Sequence, residues 1–153
     1  MTTPEKRVQE LGLSIPEAPK PVAAYVPAVR TGNYVYTSGQ LPMRDGQLIA
    51  TGKVGGEVSA EEGTALAQQC ALNAIAAVKS IVGDLSSVVR VVKVVAFVSS
   101  TPDFTGQPGV ANGASELIGK VFGDAGQHAR SAVGVPVLPL DAPVEVEMVV
   151  EVR

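Results

Sequence analysis

Four side chains in this sequence are of types that bind or hydrolyse small polar molecules. Arg130 leads into the short apolar run of HARSAVGV. Charged residues are mostly exposed, so Arg130 reads either as a solvated charge on an edge strand or as a clamp for a carboxylate. A guanidinium is a planar fork that grips a carboxylate through two hydrogen bonds. The small residues that follow, Ser131, Ala132 and Gly134, leave room for a ligand and expose strand N–H groups. Glu145 lies at the start of the alternating run VEVEMVVEVR. It reads as an outward, solvated residue, or, if buried beside a reacting centre, as a group that orients a water or moves a proton. Tyr25 and Ser38 are placed on a predicted hairpin. There they either pack and end a strand, or cover a small ligand with a ring and donate to it from a hydroxyl. His128, the single histidine, reads as a loop or capping residue. Cys70, among alanines, reads as inert packing.

One histidine and one cysteine narrow the chemistry. A Cys/His zinc site cannot be assembled within one chain, and a Ser-His-Asp triad would have to use His128. GKVGG has neither the Walker spacing nor the dinucleotide fingerprint. The net charge is −3, and no Lys/Arg cluster with interleaved aromatics appears. That balance argues against a dedicated nucleic-acid reader. A lone cysteine makes no internal disulfide and fits a reducing compartment. The N-terminus MTTPEKRVQELGL carries charges where a signal peptide needs an apolar region. No apolar run reads as long enough to span a bilayer. These readings predict a soluble, cytoplasmic protein.

The elements that must hold these side chains follow from local signals. The 153 residues suit one domain, and with 4% aromatics and no Trp its core must be built from Val, Leu, Ile and Ala. Thr3-Pro4 starts a short helix that Gly12 stops, and the Pro-rich SIPEAPKPV reads as an extended linker. Residues 1–20 are thus an N-terminal helix and linker, and 21–153 the domain proper. AAYVPAVRTGNYVYTSG reads as a hairpin turning at Thr31-Gly32-Asn33. Pro27, inside its first run, predicts an edge strand or a bulge. LPMRDGQLIATGKVGG reads as loop, with a short extended piece near 47–50. Ser59 and Glu62 have capping-box spacing and Gly83 closes the far end, which predicts a long helix. Leu66, Leu72, Ile75, Val78 and Val82 form its apolar stripe. SSVVRVVKVVAFVSS, Val-rich on both faces, predicts a central strand. VANGASELIGKVFG predicts a second main helix, ARSAVGV a strand, and VEVEMVVEVR a last strand with Glu145 and Glu147 on its outer face. The fold class is α+β: a mixed sheet with two main helices packed on one face. The other face is left for water or further subunits.

AAYVPAVRTGNYVYTSGQLP, VVRVVKVVAFVSSTPDF and ARSAVGVPVLPLDAPVEVEMV, in that order, resemble the RidA/YjgF family, also called endoribonuclease L-PSP. The resemblance covers about Pro21 to Val152, and the added N-terminal helix and longer 101–127 segment resemble the longer branch of that family. It implies a chorismate-mutase-like fold, assembled as a homotrimer whose sheets form a central barrel, with clefts between subunits. It further implies hydrolysis of reactive enamines and imines such as 2-aminoacrylate to the keto acid and ammonia, with no metal or cofactor. On that resemblance Arg130 binds the substrate carboxylate, Ala132 offers its backbone N–H, and Glu145 holds the water. Tyr25 and Ser38 line the cleft. Two other readings remain: a binding module that holds a small carboxylate without turnover, and a ribonuclease or translation inhibitor.

Overall fold

The computed structural model describes residues 2–18 and 24–153. Part of the predicted linker and the start of the predicted hairpin run, 19–23, lie outside the described residues. The helices are α1 (Pro4–Glu10), α2 (Ala60–Val82) and α3 (Gln107–Phe122). The strands are β1 (Ala28–Thr31), β2 (Tyr34–Thr37), β3 (Met43–Arg44), β4 (Gln47–Leu48), β5 (Val88–Ser99), β6 (Ala129–Val135) and β7 (Val144–Val152). Five strands form one sheet in the order β1-β2-β7-β5-β6, and β3 and β4 form a separate small hairpin. Every pairing in the large sheet is antiparallel except β5 with β6, which is parallel. Helices α2 and α3 pack on one face, so the fold is the α+β arrangement that the sequence predicts.

Capping chemistry sets the helix ends. Ser59 Oγ accepts from Glu62 N at 3.1 Å and Glu62 Oε1 accepts from Ser59 N at 3.5 Å, completing the capping box. Of the predicted α2 stripe, Leu66, Leu72, Ile75 and Val78 are buried and Val82 is partly so. Contrary to the sequence reading, the 23-residue α2 is long and apolar enough to cross a bilayer by length and composition. Its apolar side is instead buried inside the domain. The two helices approach closely at Gly113, where a Cβ would overlap the Thr64 carbonyl oxygen. Helix α1 straps the assembly: Val8 is fully buried, Glu5 Oε1 accepts from Leu85 N at 2.6 Å, and Arg7 Nη1 donates to the Val121 carbonyl at 3.1 Å.

Several details differ from the sequence reading. Pro27 stands just before β1 rather than inside it, and Tyr25 lies in a bend outside the hairpin. Helix α3 begins at Gln107, three residues before the expected Val110, because Pro108 sits in its first turn where no N–H is needed. Asp45-Gly46, both at positive φ, turn a β3-β4 hairpin in which β4 is the extended piece expected near 47–50 and β3 is unpredicted. The Val-rich β5 is interior, as expected, but β7 occupies the centre of the sheet.

Strand β7 alternates as its sequence predicts. Val144, Val146, Met148, Val150 and Val152 are buried under the helices, while Glu145, Glu147, Val149 and Glu151 are half-buried on the face without helices. That free face also carries Val29, Tyr34 and Tyr36, all more than two-fifths exposed, beside Val95 and Phe97.

Candidate functional site

The predicted site residues fall into two groups. Around Glu145, strand β2 gives way to Ser38, Gly39 and Gln40. Tyr36 faces Val149 and Gln40 faces Val146, so three residues, 37–39, oppose two on β7, 147–148. This bulge leaves Met148 N without a strand partner, and Thr37 Oγ1 accepts its hydrogen bond at 3.1 Å. It also presses Gly39 against the Glu145 carboxylate: a Cβ there would overlap Oε1. The sequence reading points to Ser38 here, but the neighbouring Gly39 is the residue that makes space. Gly39→Ala is expected to displace the carboxylate, because a flexible side chain yields before backbone does. If Glu145 acts on the substrate, that variant should lose activity on the order of a hundredfold while melting near the parent temperature. A steady-state assay beside a thermal melt checks both.

Glu145 is half-buried. Burial first, and then the like charge of Glu147, push its carboxyl above the ordinary carboxylate range. Cys70 lies behind it on α2. Burial, with Glu145 adding to it, raises the Cys70 thiol well above its ordinary value. The cysteine is therefore held protonated and inert, as the sequence predicts.

Ser38 donates its hydroxyl to the Val26 carbonyl at 2.6 Å, and Ser38 N donates to the Pro27 carbonyl at 2.8 Å. The single O–H of Ser38 is thus occupied by the segment that carries Tyr25. Tyr25 itself is 66% exposed and unpacked. The serine ties the tyrosine segment beside Glu145 instead of pointing a free donor into a cleft.

Arg130 is elsewhere. Across β5 it pairs with Val94, whose side chain is buried beneath the helices, so Arg130 projects on the helix-covered side of the sheet. Its Nη1 donates to Asn112 Oδ1 at 2.7 Å and to Ser115 Oγ at 3.2 Å, both on α3. Ser115 Oγ lies 2.9 Å from His128 Nε2, and His128 Nδ1 lies 2.6 Å from the Gly126 carbonyl oxygen. His128 is a loop residue, as expected, but a fully partnered one. Strand β6 is an edge, and Ser100 N donates to the Val135 carbonyl on its inner side at 3.3 Å. Backbone groups of an extended strand alternate sides. Residues 130, 132 and 134 therefore turn their N–H and C=O outward, which leaves the Ala132 N–H on the open edge.

Glu145 and Arg130 do not meet within one chain. Glu145 is level with Val133, so Arg130 lies two strand spacings across the sheet, about 10 Å, and three residues along it, about 10 Å more, and on the opposite face. A cavity of about 670 Å³ is lined by Leu13, Arg44, Gln69 and Asn73 among others and contains none of the predicted site residues. Among the described residues no cluster of His, Cys, Asp and Glu has metal-site geometry. Sequence reasoning missed Gly39, Asn112 and Ser115. The available signal for the last two was a polar pair at i, i+3 on one helix.

Comparison with known proteins follows the fold. The model of the family described as "YjgF/chorismate mutase-like, putative endoribonuclease" matches residues 5–152. The chain is 47% identical to Protein TCP17 of Trypanosoma cruzi over 147 residues, which is 95% of this chain and 92% of that protein. It is 35% identical to a 2-iminobutanoate/2-iminopropanoate deaminase of Dermatophagoides farinae over 143 residues, 92% of this chain and 95% of that one. The crystal structure of Atu1372, a protein of unknown function from Agrobacterium tumefaciens, superposes with a TM-score of 0.93 at 46% identity, covering 98% of this chain and 92% of that one.

Proposed function

The chain belongs to the YjgF/chorismate mutase-like family, and from that premise we propose that it hydrolyses 2-imino acids to 2-keto acids and ammonia in clefts shared between chains of a homotrimer. The observation that carries this reading is the separation of Arg130 from Glu145 within one chain. Each stands at a surface that a second chain can complete: Arg130 and the Ala132 N–H at the open β6 edge, Glu145 on the helix-free face beside Ser38 and Tyr25. That face exposes Val29, Tyr34 and Tyr36, and apolar area of this kind is buried in assemblies.

In the shared cleft, the substrate carboxylate pairs with Arg130 and accepts from the Ala132 N–H. An enamine such as 2-aminoacrylate first tautomerises to the imine. A water held by Glu145 adds to the imine carbon, and its proton passes to the carboxylate. Glu145 returns that proton to nitrogen, giving the neutral carbinolamine. It then takes the remaining hydroxyl proton and passes it to nitrogen as the C=O bond forms and the C–N bond breaks, so ammonia leaves with the keto acid behind. The imine is already electrophilic, so fixing one water against it supplies much of the rate. No cofactor enters this scheme. The neighbouring carboxylates Glu145 and Glu147 at the candidate water position repel phosphates, which favours this reading over ribonuclease action.

The direct test generates 2-aminoacrylate with a serine dehydratase and follows its decay with and without the protein, alongside sedimentation. Faster decay and a trimer are expected. A clean monomer would sink the shared cleft. Melting shifts with keto acids but no turnover would leave a binding module.

Glu145→Gln separates activity from stability. A carboxyl raised in the folded state stabilises when protonated. That contribution is present below the ordinary carboxylate value and is lost as pH rises through the raised one. As pH rises, burial and the charge of Glu147 oppose ionisation of the wild-type side chain, and glutamine has no charge to desolvate. The variant is therefore expected to melt higher than wild type at pH 7, with the gap closing toward pH 4, while turnover falls about a hundredfold. Melting curves across pH and a rate assay read the two effects.

A further inference from the structure

We propose that a hydrogen-bond relay running from the Gly126 carbonyl through His128 and Ser115 aims Arg130, so that only the Nε–Nη2 edge of its guanidinium is left to bind a ligand carboxylate. The proposal rests on the carboxylate-binding reading of Arg130. It assigns positioning roles to Ser115, His128 and Asn112.

The donor count carries the argument. A guanidinium has five N–H groups in a fixed plane, two of them on Nη1. Nη1 already reaches two acceptors, Asn112 Oδ1 at 2.7 Å and Ser115 Oγ at 3.2 Å. Its hydrogens are used, and three remain on Nε and Nη2. Those two atoms form one straight edge, the one that meets both oxygens of a carboxylate side-on. The end-on approach through both Nη atoms is blocked on the Nη1 side.

The relay also fixes the direction of every bond. The Gly126 carbonyl only accepts, so His128 Nδ1 carries the hydrogen of that 2.6 Å contact. In the neutral ring Nε2 then bears a lone pair, and the Ser115 hydroxyl donates to it across 2.9 Å. With its hydrogen so placed, Ser115 Oγ turns lone pairs toward Arg130, as the 3.2 Å contact requires. The anchor is rigid. Gly126 packs so close to α3 that a Cβ on it would stand 2.6 Å from the Ile118 carbonyl oxygen. Asn112 and Ser115, three apart on α3, hold Nη1 from one helix face. A flexible side chain of high rotamer entropy is thereby ordered before any ligand arrives, and ordering in advance is what preorganisation contributes to affinity.

Two measurements on the full-length protein test this. The first needs no ligand. Long-range ¹H–¹⁵N spectra are expected to show His128 as the Nδ1–H tautomer, and guanidinium spectra to show slowed Arg130 rotation. Ser115→Ala should free the Arg130 rotation and shift the His128 Nε2 resonance that loses its donor, while the Gly126 carbonyl keeps the hydrogen on Nδ1. Ser115→Thr, which keeps the hydroxyl, should restore both signals. The second is calorimetric binding of 2-oxobutanoate with turnover of 2-iminobutanoate. Ser115→Ala and His128→Ala are expected to weaken Kd and raise KM about tenfold with kcat nearly unchanged. His128→Gln, which retains an acceptor, should recover part of the loss. Unchanged Arg130 rotation and an unchanged His128 Nε2 resonance in Ser115→Ala overturn the relay. So does unchanged Kd in that variant when Arg130→Ala has lost binding, and in that case the functional reading survives. If wild type neither binds nor turns over these compounds, the functional reading fails, and the spectra still decide whether the relay exists.

Discussion

Arg130→Ala is expected to abolish 2-oxobutanoate binding and to cut imine hydrolysis by about 10²–10⁴-fold. The variant removes both hydrogen bonds to the substrate carboxylate and the only charge at the β6 edge that can neutralise it. Its fold should survive, because the partners it abandons, Asn112 and Ser115, lie at the surface of α3 where water can replace the guanidinium. Arg130→Lys should recover little. One ammonium would have to serve Asn112, Ser115 and a carboxylate from a single nitrogen, and it cannot present two parallel N–H groups. Calorimetry and the 2-aminoacrylate assay read the loss, and a melt within a few degrees of wild type excludes unfolding as its cause. Wild-type activity in Arg130→Ala would leave the proposed cleft without its anchor.

Mixing two dead variants should restore activity. Arg130→Ala keeps Glu145, and Glu145→Gln keeps Arg130. If each cleft takes Arg130 from one chain and Glu145 from its neighbour, some clefts in mixed trimers contain both wild-type residues. With equal amounts and random exchange, about a quarter of the clefts are complete. Dissociating the two variants together and reassembling them should raise activity from near zero to that share of wild type. Mixing without subunit exchange should give nothing. If the two residues of one cleft came from one chain, reassembly would give nothing either, and the separation of the two groups would have another meaning.

Much of the fold was legible because its signals are local. Ser59 and Glu62 write the start of α2, and Gly83 its end. The alternation of Val144 to Val152 predicts both the strand and the face Glu145 takes. The β6 partner was less legible. ARSAVGV does not alternate in burial, since it is an edge strand paired in parallel on one side only. The start of α3 was misread because Pro108 and Gly109 look like breakers, although a first turn tolerates proline. At the site, residue types pointed to Arg130 and Glu145, but no local pattern tells which sheet face an edge arginine takes. Nor does it reveal that Asn112 and Ser115, more than a dozen residues away, hold its guanidinium. The role of Gly39 appears only once the bulge at 37–39 brings it against Glu145.

The open edge of β6 has a cost in solubility. A row of outward N–H and C=O groups that suits a ligand equally suits any extended peptide, including another copy of the same strand. The stretch is kept from templating aggregates by what bounds it. Arg130 places a charge near one end, Gly134 weakens the other, and Pro136, directly after the strand, has no N–H to continue a ladder. Removing that charge or that proline would take away a guard against misassembly in newly made chains that have not yet found their partners.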